Sequence, residues 1–189
     1  MSGHAVLGWG SLLWDLDDLA PHVAGEWRLG AGPRLAKEFS RVSPKRAMGL
    51  VVCLDPEHGV PCPTHAIASR RGSLEEARAD LARRERAPRA MIGGVCLATG
   101  SSHGRADIAE TVAAWCAGAG WRGAVWTDLR PNFAERAGAP FGLARAVAYL
   151  KELPEANLAE AVRYIENAPE ETDTPLRRAL RADPWWRDR

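Results

Sequence analysis

The chain has 189 residues, 46% of them hydrophobic and 26% charged, with a formal net charge of +1. That size suits one ordinary domain with a C-terminal extension, and the near-neutral balance gives no electrostatic reason to expect a nucleic-acid or membrane partner, leaving a small molecule or a second copy of the chain, a homodimer. Cys53, Cys62, Cys96 and Cys116 form no C-x-x-C pair and read as reduced core thiols; no basic region precedes the first apolar run and no window approaches the roughly 18 apolar residues of a membrane span, so a cytoplasmic protein is expected.

In chain order, His4 to Trp9 is a short apolar run ended by glycine, which predicts a buried strand. Acidic residues at Asp15, Asp17 and Asp18 then predict a helix start that Pro21 limits to one or two turns. Extended runs follow over Glu26 to Leu29 and Arg34 to Val42, the second with a break in alternation that predicts a bulge. Met48 to Leu54 predicts a core strand, closed by the turn residues Asp55 to Gly59 and paired as a hairpin with Thr64 to Ala68. Ser73-Leu74-Glu75-Glu76 is a capping box opening a helix that runs to about Arg86, before Pro88. Met91 to Thr99 reads as a strand, and Ala106 to Ala117, Leu143 to Leu150 and Leu158 to Asn167 as helices, followed by a short helix carrying Trp185 and Trp186. Gly100 to Gly104 and Arg136 to Pro140 read as loops. Strands dominate the first half and helices the second, which predicts an α+β fold with residues 1–150 as one domain and 151–189 as a helical extension packed on it.

Leu74, Ala77 and Leu81 define one apolar helix face, and four residues further along the same stripe stands Glu85. Burial and the negative end of the helix dipole would both disfavour the charged form of such a carboxylate, which suits a general acid and base. The alternative is that Arg83, Arg84 or Arg86 neutralises Glu85 at a frayed helix end. The stretch VLGWGSLLWD, Val6 to Asp15, brackets Trp9 between Gly8 and Gly10, and its backbone N–H groups are candidates for an anion-binding nest. It has no G-K-[ST], no G-x-G-x-x-G and no G-x-S-x-G, so a phosphate loop, a dinucleotide site and a serine hydrolase elbow lack support, while a plain strand end stays open. Cys62 and His65 fall short of a zinc pattern; His4, His22, His58 and His103 read as solvated, and the aspartates as helix caps.

VLGWGSLLWD is similar to the [FY]-G-Y-G-S-L-[IM]-W signature of the γ-glutamylcyclotransferase-like superfamily, in particular its ChaC-type branch, and ARADLARRERA resembles the helix bearing that family's catalytic glutamate in a Y-L-x-x-R-E pattern. The resemblance spans residues 4 to 99. It implies a mixed β-barrel with surrounding helices, a γ-glutamyl group held at Gly8, Trp9, Gly10, Ser11 and Leu12, and Glu85 as the acid and base of a cofactor-independent, metal-independent ring closure that releases 5-oxoproline. Trp9 stands where the family has tyrosine, and RAPRAMIGG follows Glu85 where the family has glycine and tyrosine. Two other outcomes stay open: a non-catalytic ligand-binding or interaction module on the same fold, and a transferase or amide hydrolase using the same pocket.

Overall fold

A computed structural model describes residues 2–189. Its elements in chain order are β1 (Ser2–Gly8), β2 (Val23–Arg28), β3 (Arg34–Ser43), β4 (Gly49–Leu54), β5 (Val60–Pro63), β6 (His65–Ser69), α1 (Leu74–Glu85), β7 (Ile92–Cys96), β8 (Ser101–His103), α2 (Ala106–Ala119), β9 (Trp121–Thr127), α3 (Phe133–Ala137), α4 (Leu143–Lys151), α5 (Glu155–Glu166), α6 (Pro175–Ala182) and α7 (Pro184–Arg187). The fold is α+β. No described helix is long and apolar enough to cross a membrane.

The described strands form two open sheets, of six strands in the order β2-β6-β1-β9-β7-β8 and of three in the order β4-β3-β5. This corrects the expected barrel: the edge strands β2 and β8 of the larger sheet do not pair with each other, so it does not close. The expected hairpin between Met48–Leu54 and Thr64–Ala68 is also absent among the described residues. The short β5 takes a place beside β3, whereas β6 pairs with β1 and β2 in the other sheet.

The chain divides into two compact units, residues 1–34 with 63–129, and residues 35–62 with 130–189. In the first, Val6 is matched with Ile67 of antiparallel β6 on one side and Val125 of parallel β9 on the other. These apolar side chains meet Leu74, Ala77 and Leu81 of α1, together with Leu12, Leu19 and Ile92, in one buried cluster. The apolar stripe of α1 thus lies on the sheet as its spacing requires. Arg78, itself buried, fastens the helix further by donating to the carbonyls of Ile92 at 3.0 Å and Arg89 at 3.1 Å. Helix α2 also packs on β9, and its Trp115 stacks on Trp121 and donates to the carbonyl of Ala31.

In the second unit α5 packs on β4, and Phe39 of β3 meets Tyr164 of α5 edge-on. Asn132 uses its side-chain amide as a strand partner would, accepting from Val42 N at 2.7 Å and donating to Val42 O at 3.2 Å. Helix α6 is held at its start by the buried Glu38, whose carboxylate accepts from Leu176 N at 3.0 Å. Arg177, buried beside it, donates to the carbonyls of Glu166, Ala168, Pro169 and Thr172 at and beyond the end of α5. Trp186 is buried, with its Nε1 donating to Glu166 at 2.7 Å, while Trp185 lies under Lys151 and Arg189.

Candidate functional site

β1 ends at Gly8, and the chain turns through Trp9 into a single 3-10 turn, Gly10–Leu13. Gly10 has φ 61°, a left-handed conformation that L side chains adopt only at a cost. Gly8 is needed for a different reason: a Cβ there would lie 2.5 Å from the six-membered ring of Trp27. Trp9 and Ser11 are buried, and Leu12 is a member of the core cluster under α1. The turn is therefore anchored from below by the same apolar cluster that seats α1.

Helix α1 starts at Ser73, whose hydroxyl accepts from Glu76 N as the N-cap half of the predicted capping box; the Glu76 carboxylate accepts from that same hydroxyl at 2.7 Å rather than from the Ser73 backbone N–H. The helix ends at Glu85, because Arg86 takes a left-handed conformation and returns its N–H to Ala82 and Arg83. Glu85 is neither fully buried nor open, with 17% of its side chain exposed, and its Oε1 accepts from Arg84 Nη1 at 2.8 Å. The Arg84 side chain, 8% exposed, continues across to the glycine turn, where Nη2 donates to the carbonyl of Asp15 and lies 3.5 Å from Ser11 Oγ. Its Nε–H is buried and has no acceptor among the described residues.

The structure thus brings Glu85 and Ser11 to opposite ends of one guanidinium. Of the three flanking arginines, Arg83 turns to Asp80 at 3.4 Å and Arg86 to Asp17 at 3.5 Å. Sequence spacing marks Arg84 only as one of three possible neutralisers, although a further signal is present: residue 84 is three after Leu81 and so falls on the edge of the same stripe. A second carboxylate stands out only in the structure. Asp80 is 3% exposed and held by two Arg71 nitrogens at 2.5 and 3.2 Å, with His22 beside it.

The histidines are not all solvated. His4 lies on β1 opposite Gly123 of β9 and is 1% exposed, because β1 is interior to the sheet; burial lowers its pKa. His65 is buried on β6 and accepts from Gly30 N through Nδ1 at 3.0 Å. The aspartates expected to cap do not do so: the 3-10 helix Asp17–His22 has Leu16 at its N-cap, without a side-chain cap bond. All four cysteines are buried, reduced thiols. Burial pushes the Cys53 and Cys116 thiols up to about 12. Burial also acts upward on Cys96, but hydrogen bonds from the Thr99 hydroxyl and the Ala98 and Thr99 backbone outweigh it and lower that thiol's pKa. Among the described residues no group of three or more His, Cys, Asp or Glu side chains is disposed to hold a metal ion.

Comparison with family models, curated proteins and solved structures finds no match. The chemistry rests on the site itself. It offers a carboxylate at the end of a rigid helix, a cation anchored on a backbone carbonyl, a hydroxyl, and a turn whose first N–H groups at Gly10 and Ser11 have no carbonyl within that turn to bond. Such a set can accept and return a proton and can hold an anionic or strongly polar group.

Proposed function

We propose that this chain is a γ-glutamylcyclotransferase-like enzyme that converts a γ-glutamyl amide into 5-oxoproline and a free amine or amino acid. One observation carries the reading: the carboxylate of Glu85 and the turn Gly8 to Leu12, chosen in the sequence on separate grounds, are joined through the guanidinium of Arg84. The proposal includes membership of the γ-glutamylcyclotransferase-like superfamily, on the resemblance of VLGWGSLLWD and ARADLARRERA, and cytoplasmic action on a small substrate.

In the proposed reaction Glu85 takes one proton from the substrate's α-ammonium. The freed amine attacks its own γ-carbonyl carbon, closing a five-membered ring, and the carbonyl oxygen becomes a transient oxyanion. Collapse of that intermediate re-forms the carbonyl and breaks the bond to the leaving nitrogen, which takes the proton back from Glu85; the ring nitrogen then gives up its second proton to the same carboxylate, which passes it to the released amine, so that the lactam leaves neutral and the amine as its ammonium. Protons balance, and the tethered nucleophile leaves the protein chiefly to orient and deprotonate. Gly8, Gly10, Ser11 and Leu12 supply the backbone that cradles the γ-glutamyl head, and Trp9 forms its wall.

The test is incubation of the pure protein with γ-glutamyl amino acids, γ-glutamyl amines and glutathione, followed by assay of 5-oxoproline. The expected outcome is turnover of at least one compound and a loss of about 10²- to 10⁴-fold in Glu85→Gln, the range for removing a general acid and base. No turnover by the wild type, or unchanged turnover in the variant, overturns the reading.

A second reading has an observation in its favour, the ion pair between Arg84 and Glu85. A non-catalytic ligand-binding module would use Glu85 only as a partner of that arginine, and would show ligand-dependent thermal stabilisation without product. Free glutamate or an acylated acceptor in the same assay would indicate an amide hydrolase or transferase instead.

A further inference from the structure

We propose that Arg84 is the positioning residue of this site, holding the Glu85 carboxylate and the glycine turn in one fixed arrangement; the catalytic part of this inference rests on the function proposed above. Arg84 is anchored at both ends of its guanidinium. Nη2 is fixed on a backbone carbonyl, that of Asp15, which is itself tied into the turn by its N–H to the carbonyl of Ser11 at 2.9 Å. Nη1 of the same planar group reaches Glu85 Oε1 at 2.8 Å, and the hydroxyl of Ser11 lies 3.5 Å from Nη2. A planar fork bonded at both ends transmits orientation, which a lysine ammonium on a flexible stem does less well.

Two further observations separate Arg84 from an ordinary surface ion pair. Its side chain is 8% exposed, whereas those of Arg83 and Arg86 are 56% and 70% exposed and pair with other acids. Its Nε–H is buried without an acceptor among the described residues. A buried donor left unmatched opposes stability, so Nε does not hold the side chain there; the bonds of Nη1 to Glu85 and of Nη2 to the Asp15 carbonyl do. The guanidinium spans the proposed base and the proposed cradle.

The test uses the full chain and the variants Arg84→Met, Arg84→Lys and Arg84→Ala. Amide hydrogen exchange reads the tether without any substrate. In Arg84→Met the amides of Trp14 and Asp15, which bond the carbonyl of Ser11, are expected to exchange at least about tenfold faster, while those of β1 and of α1 up to Leu81 stay within about twofold. Uniform loss of protection, or none at the turn, overturns the proposal whether or not the protein turns over a γ-glutamyl compound.

Kinetics on the best γ-glutamyl substrate read the positioning. Arg84→Met is expected to lower kcat by about 10²-fold with KM changed by less than about threefold. Arg84→Lys should recover part of kcat, and added methylguanidine should recover part of it in Arg84→Ala. A rise in KM at unchanged kcat would make Arg84 a substrate-binding group and overturn positioning. Unchanged kcat and KM in Arg84→Met would overturn it while leaving the function of Glu85 intact. An inactive wild type removes the enzymatic reading and the catalytic role with it, and the exchange result then decides the tether alone.

Discussion

At Gly8 the indole of Trp27 occupies the space that a side chain would take, since a Cβ there would stand 2.5 Å from Cη2 and 2.8 Å from Cζ3. The first glycine of the turn therefore serves packing, whereas Gly10, at φ 61°, serves backbone shape. Gly8→Ala is expected to destabilise by about 1–3 kcal/mol, the cost of overpacking a filled core. Urea denaturation measures it, and the double variant Gly8→Ala with Trp27→Leu should regain part of the loss because the obstructing ring is gone. If the single variant matches the wild type, the indole does not set the residue at Gly8. The pairing of Glu85 is likewise a single-residue matter: Arg84 reaches the turn, whereas Arg83, about 100° away around the helix axis, turns to Asp80, and Arg86, left-handed and beyond the helix, to Asp17.

Among the elements, α1 sets the position of Glu85 through both of its ends. Ser73 fixes where the helix begins, and the left-handed Arg86 where it stops, so Glu85 is its last residue. Ser73→Ala removes the acceptor for Glu76 N and is expected to cost about 1 kcal/mol, seen as a lower thermal midpoint. Helix α6 depends instead on groups distant in sequence, Glu38 at its start and Arg177 toward α5. The capping box of α1, the bulge in β3 between Glu38 and Arg41, and the strand β1 were legible because each has a local pattern of spacing or side-chain type. The parallel strand β9 and the separation of β5 from β6 were not. Strand partners are chosen by which distant edges meet, and a run such as WRGAVWT contains nothing that specifies a parallel neighbour more than a hundred residues away.

For the molecule as a whole, pH dependence of stability has an identifiable source in Glu38. Burial, the largest cause, raises its pKa above the ordinary 4.5, against the lowering effect of hydrogen bonds from Thr174, Phe39 N and Leu176 N. A folded-state pKa above the unfolded one means that the native protein holds this proton more tightly. Its contribution to stability is complete below about pH 4.5 and is lost as the pH rises through the folded-state value. Urea unfolding at steps from about pH 4 to about pH 7 should therefore show the wild type losing stability relative to Glu38→Gln as pH rises. A relative stability that stays constant or increases would contradict the sign.

Composition and local pattern by themselves determined the α+β class, the capped helix, the glycine turn and the stripe on which Glu85 stands. These follow from residue periodicity, caps and turn chemistry, which act over a few residues. Only the tertiary structure decided that the sheets stay open, that His4 is buried, and that Arg84 joins Glu85 to Ser11 and Asp15 while Arg83 and Arg86 turn elsewhere. The reason is that seating the apolar stripe of α1 on β1, β7 and β9 fixes the rotation of the helix, and that rotation alone points one guanidinium at the turn.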